Sequence, residues 1–146
     1  MGKIHAVCIS EKKGTEKKDI GEAAFLAGYG IQGDAHAGSG ERQVSLLSLE
    51  KINEFRAQGA DIAFGAFGEN LVAEGIDFAR LPVGTRLRAC GVVLEISRIG
   101  KECHHHCAIR TRMGDCIMPR EGVFAVVLSG GTIKTGDELE IVPQAF

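Results

Sequence analysis

Three of the five histidines and three of the five cysteines in this chain stand between Cys103 and Cys116, a window of 14 residues in 146. The run reads Cys103-His104-His105-His106-Cys107-Ala-Ile-Arg-Thr-Arg-Met-Gly-Asp-Cys116. Thiolate and imidazole are the side chains that hold soft metals and carry out sulfur chemistry. Arg98, Lys101, Arg110, Arg112 and Arg120 surround the run, against Glu102, Asp115 and Glu121. Locally basic surroundings suit an anionic ligand and lower a thiol pKa. The residues support three readings. Cys103, His104, Cys107 and Cys116 could form a tetrahedral structural zinc site, although C-x-x-x-C followed by C-x(8)-C departs from the usual C-x-x-C pairs. A reactive thiolate could carry sulfur or ligate a metal that arrives with a cofactor. Some cysteines could instead be small buried apolar residues, a reading that suits Cys8 on a first strand and Cys90 at a hairpin turn. Spacing leaves the zinc and thiolate readings open, and at most one or two of the three adjacent histidines can point into one site.

Two further polar groups could belong to a pocket. Gly33-Asp34-Ala35-His36 sets a carboxylate and an imidazole on glycine-rich backbone, with Arg42-Gln43 close behind. The same residues could equally form a turn in which Asp34 caps its own backbone. Gly68-Glu69-Asn70 is a polar trio before Leu71-Val72, either turn or pocket wall. Gly28-Tyr-Gly30-Ile-Gln-Gly33 matches the dinucleotide fingerprint literally, but that motif needs a helix after it. Asp34-Ala-His36-Ala-Gly38-Ser-Gly40 cannot sustain one, so no dinucleotide site is expected.

These groups must be positioned by short strands. The composition is 45% hydrophobic and 25% charged with a formal net charge of −2, which gives no reason to expect nucleic acid or a membrane surface as partner. One domain spanning 1–146 is expected. No leader or membrane-spanning run is seen, and five cysteines is an odd count, so a cytoplasmic protein with reduced thiols is expected. Twenty glycines favour turns and short strands over long helices. Lys3 to Ile9 alternates and reads as a first strand. Glu11 to Asp19, with no apolar residue, reads as an exposed connection. A strand is expected at Gln43 to Leu47. Ser48 then N-caps a helix that presents Leu49, Ile52 and Phe55 on one face and stops at Gly59. Leu81 to Gly84 is a turn before Thr85 to Ala89, and Cys90-Gly91 leads tightly into Val92 to Ser97, whose Val92, Leu94 and Ile96 share a face. Gly122 to Leu128 is an apolar strand, Gly130-Gly131 a turn, and Leu139 with Ile141 a last strand. Val83-Gly84-Thr85-Arg-Leu87 and Thr135-Gly136-Asp137-Glu-Leu139 echo each other as a glycine turn feeding a strand. The fold expected is mainly β: a barrel or sandwich of short strands, with one or two short helices.

Several linked motifs resemble the MOSC domain, named for the C-terminal domain of molybdenum-cofactor sulfurases. They are Gly30-Ile-Gln-Gly33-Asp34-Ala-His36-Ala-Gly38, Arg42-Gln43-Val44-Ser45-Leu46-Leu47 and Phe67-Gly68-Glu69-Asn70-Leu71. They continue through Leu81 to Leu87 and Leu94 to Ser97. The resemblance is strongest in Ile99-Gly-Lys101-Glu-Cys103-His104, Cys107-Ala-Ile109 and Gly114-Asp-Cys116-Ile-Met-Pro-Arg120-Glu-Gly122-Val-Phe124, and it ends at Gly136-Asp137. Coverage is nearly the full chain, and the chain looks nearest to the stand-alone bacterial branch.

The resemblance implies an irregular β-barrel that handles the molybdenum cofactor, a pterin dithiolene carrying a phosphate and a metal. It implies that Cys103 is the thiolate that carries sulfur or binds molybdenum. Cys107 and Cys116 match further cysteines of the branch, and His104 fits as a metal ligand. Arg42, Lys101, Arg110, Arg112 and Arg120 are the expected contacts for the anionic phosphate. Asp34, His36, Glu69 and Asn70 are expected to line the pocket and hydrogen-bond the pterin edge. Cofactor sulfurases mobilise sulfur with a pyridoxal-phosphate domain, for which these residues leave no room. The expected partners are therefore the pterin cofactor itself and a sulfur-donor protein or an apo-molybdoenzyme. Sulfur transfer to the cofactor and cofactor-dependent N-hydroxyl reduction are the activities the family suggests. The alternatives are a carrier module without turnover and a domain stapled by structural zinc.

Overall fold

The structure is a computed structural model that describes residues 2–11, 17–35, 37–38, 40, 42–57, 63–65, 69–99 and 122–142. Strand β1 (Gly2–Ile9) opens the chain, as the alternation of Lys3 to Ile9 predicts. After it come β2 (Lys18–Asp19), β3 (Glu22–Leu26), β4 (Gly30–Ile31) and β5 (Val44–Ser48). Helix α1 (Leu49–Ala57) leads to β6 (Leu71–Glu74) and a 3-10 turn at Phe78–Arg80. The second half is β7 (Arg86–Ala89), β8 (Val92–Ile99), β9 (Val123–Ser129), β10 (Gly131–Lys134) and β11 (Glu138–Val142).

Seven of these strands close into a barrel in the order β11-β7-β8-β9-β5-β6-β1, and β1 returns to β11 through Gly2↔Leu139 and Lys3↔Glu138. Closure removes the exposed edges that an open sheet of this size would carry. The pairs are antiparallel except β5–β6, where Leu46 lies beside Leu71 and Ser48 beside Ala73. Parallel neighbours need a crossover, and α1 supplies it, packing on β5 and β6. Its Ile52 is the buried residue, as its place on the apolar face predicts. Ser48 differs from expectation. It is the last residue of β5, and its hydroxyl donates to the Ile76 carbonyl at 2.5 Å. Glu50 in the first helical turn instead accepts the Gly75 amide at 3.0 Å. Both groups serve tertiary ties, which outcompete a local cap.

The two echoing segments turn out to be neighbours. β7 and β11 pair antiparallel, with Leu87 opposite Ile141, so each glycine turn feeds one strand of the same ladder. Cys90 and Gly91, at φ 48 and 84, make the two-residue hairpin between β7 and β8, whose twist needs positive φ at both positions. Cys90 is exposed there, not buried, because a two-residue hairpin tip projects beyond the sheet. On β8, Val92, Leu94 and Ile96 all face inward as the alternation predicts.

A second sheet, β10-β3-β4, was not expected from the sequence. Gly131 opens β10, so Gly130-Gly131 is not a hairpin turn. Gly130 runs so close to Phe25 that a Cβ would sit 2.6 Å from the Phe25 carbonyl oxygen. Glycine is required here by close backbone approach.

The barrel interior is filled by Ile4, Val7, Leu46, Leu71, Leu94 and Val123, each at most 1% exposed, and their buried neighbours. Their burial makes the interior a packed core. Residues on the opposite face of the same strands, including Leu47, Val72, Phe124 and Cys8, are also buried but stand outside that cluster. The outer face of β1, β6, β5 and β9 is therefore covered, and the candidate site residues lie there.

Candidate functional site

Asp34 sits in a turn in which the Ala37 amide donates to the Asp34 carbonyl at 3.1 Å. Its carboxylate also reaches well beyond this turn. Oδ1 accepts the Lys17 ammonium at 2.7 Å and the Ser10 backbone amide at 3.1 Å, while the Ser10 carbonyl accepts the Ala35 amide at 2.8 Å. The Lys17 ammonium also reaches the Ser10 hydroxyl at 3.3 Å. Both side chains of the ion pair are 0% exposed. Lys17 thus overturns the expectation of a wholly exposed Glu11 to Asp19 connection. A lysine in a polar run is ordinarily solvated, and its burial is explained only by a carboxylate elsewhere in the chain.

The backbone of Lys17 continues the network. Its amide donates to the Gly65 carbonyl at 2.8 Å, and the Gly65 amide donates to Glu69 Oε2 at 3.0 Å. Gly65, at φ 91, has no room for a side chain, because a Cβ would lie 2.1 Å from the Lys17 carbonyl oxygen. Glu69 is fully buried. The next residue, Asn70, ties three strands. Its Nδ2 donates to the Cys8 carbonyl at 2.9 Å, and its Oδ1 accepts the Ser45 amide at 2.9 Å and the Ser45 hydroxyl at 3.1 Å.

Ser45 on β5 pairs with Phe124 on β9, which in turn pairs with Arg98 on β8. The Arg42 guanidinium lies over the Phe124 ring, 5.7 Å from its centroid, a cation–π contact that keeps the arginine's donors available at its rim. The structure therefore joins Asp34, Glu69, Asn70 and Arg42, scattered in sequence, into one tract on the outer face. The tract runs Asp34–Lys17–Gly65–Glu69–Asn70–Ser45–Phe124–Arg42. Beside its last members, Ile99 pairs with Val123. Ile99 and Gly122, which flank residues 100–121, thus lie within two residues of the Arg98–Phe124 pair. Cys103, His104, Cys107, Cys116, Lys101, Arg110, Arg112, Arg120 and His36 lie outside the described residues. Sequence reasoning missed Lys17 and Ser10, which no motif in a single sequence marks, and Ser45, which enters only as part of the Arg42 to Leu47 motif.

The two described cysteines do not suit thiolate chemistry. Burial pushes the Cys8 thiol far up from its ordinary value, and Glu69 and Asp19 push the same way while Lys17 opposes them. Cys8 stays protonated. The Cys90 thiol is also raised, by a hydrogen bond to the Asp137 carboxylate. It stands beyond the far end of β8 from Ile99, a strand of 8 residues that spans roughly 23 Å. Among the described residues no three His, Cys, Asp or Glu side chains converge to hold a metal. What the tract offers chemically is a set of buried, mutually bonded polar groups with one arginine at its edge.

A closed irregular barrel with a packed interior and a polar tract on its outer face defines the class: a small, mainly β barrel. The chain belongs to the MOSC domain family, whose model matches residues 33–140. That family is associated with molybdenum-cofactor-related function. Solved structures share the fold. The chain is similar to the YuaD protein of Bacillus subtilis, at 22% identity and TM-score 0.77, covering 97% of this chain and 96% of that one. It is similar to YiiM of Geobacillus stearothermophilus, at 18% identity and TM-score 0.75, covering 98% and 76%. YiiM of Escherichia coli follows at 18% identity and TM-score 0.67, covering 98% and 71%. No curated protein matches the chain by sequence. Among the described residues, no helix is long and apolar enough to cross a membrane.

Proposed function

We propose that the protein binds the molybdenum cofactor or a molybdopterin precursor and acts in its maturation, sulfuration or delivery through the Cys103 thiolate. The observation that carries this reading is the placement of Arg42 over Phe124 beside the paired ends Ile99 and Val123, from which the Cys103 segment departs. The unsuitability of Cys8 and Cys90 as thiolates supports the same assignment, since it leaves Cys103, Cys107 and Cys116 to supply one. When bound, the cofactor supplies a molybdenum centre that exchanges sulfur and oxygen ligands. The chain's own residues bind and orient it. Arg42, Lys101, Arg110, Arg112 and Arg120 offer planar or point cations to the phosphate. Asp34, Glu69 and Asn70, all buried, would brace the wall from behind, and His36 would face the pterin. Cys103 would hold the metal or a persulfide sulfur, His104 would be a further metal ligand, and Cys107 or Cys116 would be a second thiol. A donor protein's persulfide would pass its terminal sulfur to the Cys103 thiolate and leave as a thiolate itself. In this reading the protein acts in the cytoplasm, where thiols stay reduced. Its macromolecular partner is that donor or a recipient apo-molybdoenzyme.

The test is reconstitution of the reduced protein with molybdenum cofactor, comparing wild type with Cys103→Ser. The expected result is lost retention and loss of the sulfur-to-metal absorption band in the variant. Equal retention and an equal band would sink the role of Cys103. Stoichiometric zinc that survives dialysis, with unfolding on chelation, would establish the structural-metal reading instead. Counting turnovers of sulfur transfer or N-hydroxyl reduction per protein separates an enzyme from a carrier.

A further inference from the structure

We infer that Lys17 is a positioning residue of the proposed site, coupling the Asp34 turn to the Gly65–Glu69 contact so that the two move as one unit. The inference rests on the reading above for which groups form the ligand wall. Its structural basis is independent of it. Lys17 holds the turn with its side chain, through Asp34 at 2.7 Å and Ser10 at 3.3 Å. It holds the contact with its backbone, through the Gly65 carbonyl at 2.8 Å. Gly65 passes the constraint on, because its own amide is fixed by Glu69 at 3.0 Å. No side chain separates the two at this point, since a Cβ on Gly65 would collide with the Lys17 carbonyl.

A buried ion pair is weak evidence for net stability, because desolvating both charges offsets their attraction; its best-attested use is to select one arrangement of the chain. That use fits here. Ammonium and carboxylate are both removed from water, so the pair favours the one register of the Lys17 segment that brings them together. Lys17 points inward to Asp34 and Ser10, so it sets the wall, and the cation presented at the tract's edge is Arg42.

Hydrogen exchange on the full chain tests the coupling. The Ser10 amide reports the Asp34 contact and the Gly65 amide reports the Glu69 contact. In wild type the two should exchange through one shared opening, with equal protection and equal dependence on urea. In Lys17→Met both should accelerate by at least about tenfold, while amides of the β7–β8 ladder keep their rates. Different openings in wild type, or a Gly65 amide unmoved by the substitution, would overturn the inference. If Lys17→Met does not fold, the wild-type comparison still decides it. A second arm measures molybdopterin release from Lys17→Met against Leu94→Val, a core variant on the barrel's interior with its loss of stability matched by urea. Release should be at least about tenfold faster in Lys17→Met only, the size of a coupling of roughly one decade. Equal loosening in both variants would reduce Lys17 to an ordinary stabilising residue. Failure of wild type to retain molybdopterin would refute the proposed function and leave the amide result standing.

Discussion

Replacing Asn70 by alanine should be among the most damaging polar substitutions in this protein. The amide side chain is fully buried between β1 and β5. Truncation leaves the Cys8 carbonyl and the Ser45 backbone amide without these partners, in a position closed to bulk water. Each buried polar group left unsatisfied costs about 1–3 kcal/mol, so two together cost about 2–6 kcal/mol. A domain of this size has about 5–15 kcal/mol in all, so the variant should approach the limit of folding. A lowering of the melting temperature by about 2–4 °C per kcal/mol is expected. Urea unfolding followed by circular dichroism is the measurement, with Ser45→Ala as the comparison. That substitution removes one hydroxyl but keeps the Ser45 amide bonded to Asn70 Oδ1, so it should cost about 1 kcal/mol. A loss below about 1 kcal/mol in Asn70→Ala, with an unchanged urea slope, would refute the view that this side chain ties the strands together.

Other consequences concern thiols and backbone. The Cys8 thiol is held neutral in the folded protein, above its ordinary value of 9.0. Its contribution is fully present below pH 9 and declines above it, because only the unfolded chain then loses the proton. The stability difference between wild type and Cys8→Ala should therefore shrink by about 2 kcal/mol between about pH 9 and pH 10.5; a flat difference across that range would contradict the assignment. At Cys90, Asp137→Asn should speed alkylation by iodoacetamide near pH 8, followed by peptide mass spectrometry, because the carboxylate that raises this thiol is gone. An unchanged or slower rate would show that Asp137 does not control it. Gly65→Ala should destabilise more than Gly84→Ala. Both positions have positive φ, at 91 and 96, which costs about 1–3 kcal/mol for a side chain. Only Gly65 adds a collision with the Lys17 carbonyl, and equal urea midpoints for the two variants would dispose of that collision.

The outer-face location of the tract follows from how the strands are used. β5 reads Val44-Ser-Leu46-Leu-Ser48 and is buried at every position. Val44 and Leu46 enter the barrel core, while Ser45 meets Asn70 on the other side. A strand buried on both faces carries information on both, and here one face packs the core while the other anchors the wall. A change at Ser45 would thus be read out at Asn70, and through it at Cys8 on β1.

Much of this architecture is legible in short stretches of chain. The inward residues of β8, the single helix and the last strand follow from periodicities of two and 3.6, which are properties of neighbouring residues. The cluster from Cys103 to Cys116 and the linked motifs around it mark the ligand class without any fold. Other features are opaque for physical reasons. β3 and β10 carry little alternation of their own and exist because each supplies the other's hydrogen bonds, from Phe25 opposite Gly131 to Glu22 opposite Lys134. Cys90 reads as a small apolar residue, yet its exposure depends on the length of the hairpin it caps.

The sequence by itself determined the fold class, the family and the residue types available for chemistry, because strand alternation and motif spacing are written locally. The tertiary structure alone decided which polar residues are joined. Lys17 looks solvated in its own segment and becomes a buried half of an ion pair only when Asp34 arrives from elsewhere in the chain. Asn70 looks like a loop residue until Cys8 and Ser45 present their backbone to it. Burial of a charge or an amide is stable only with a partner, and that partner is chosen by the closing of the barrel, not by anything nearby in sequence.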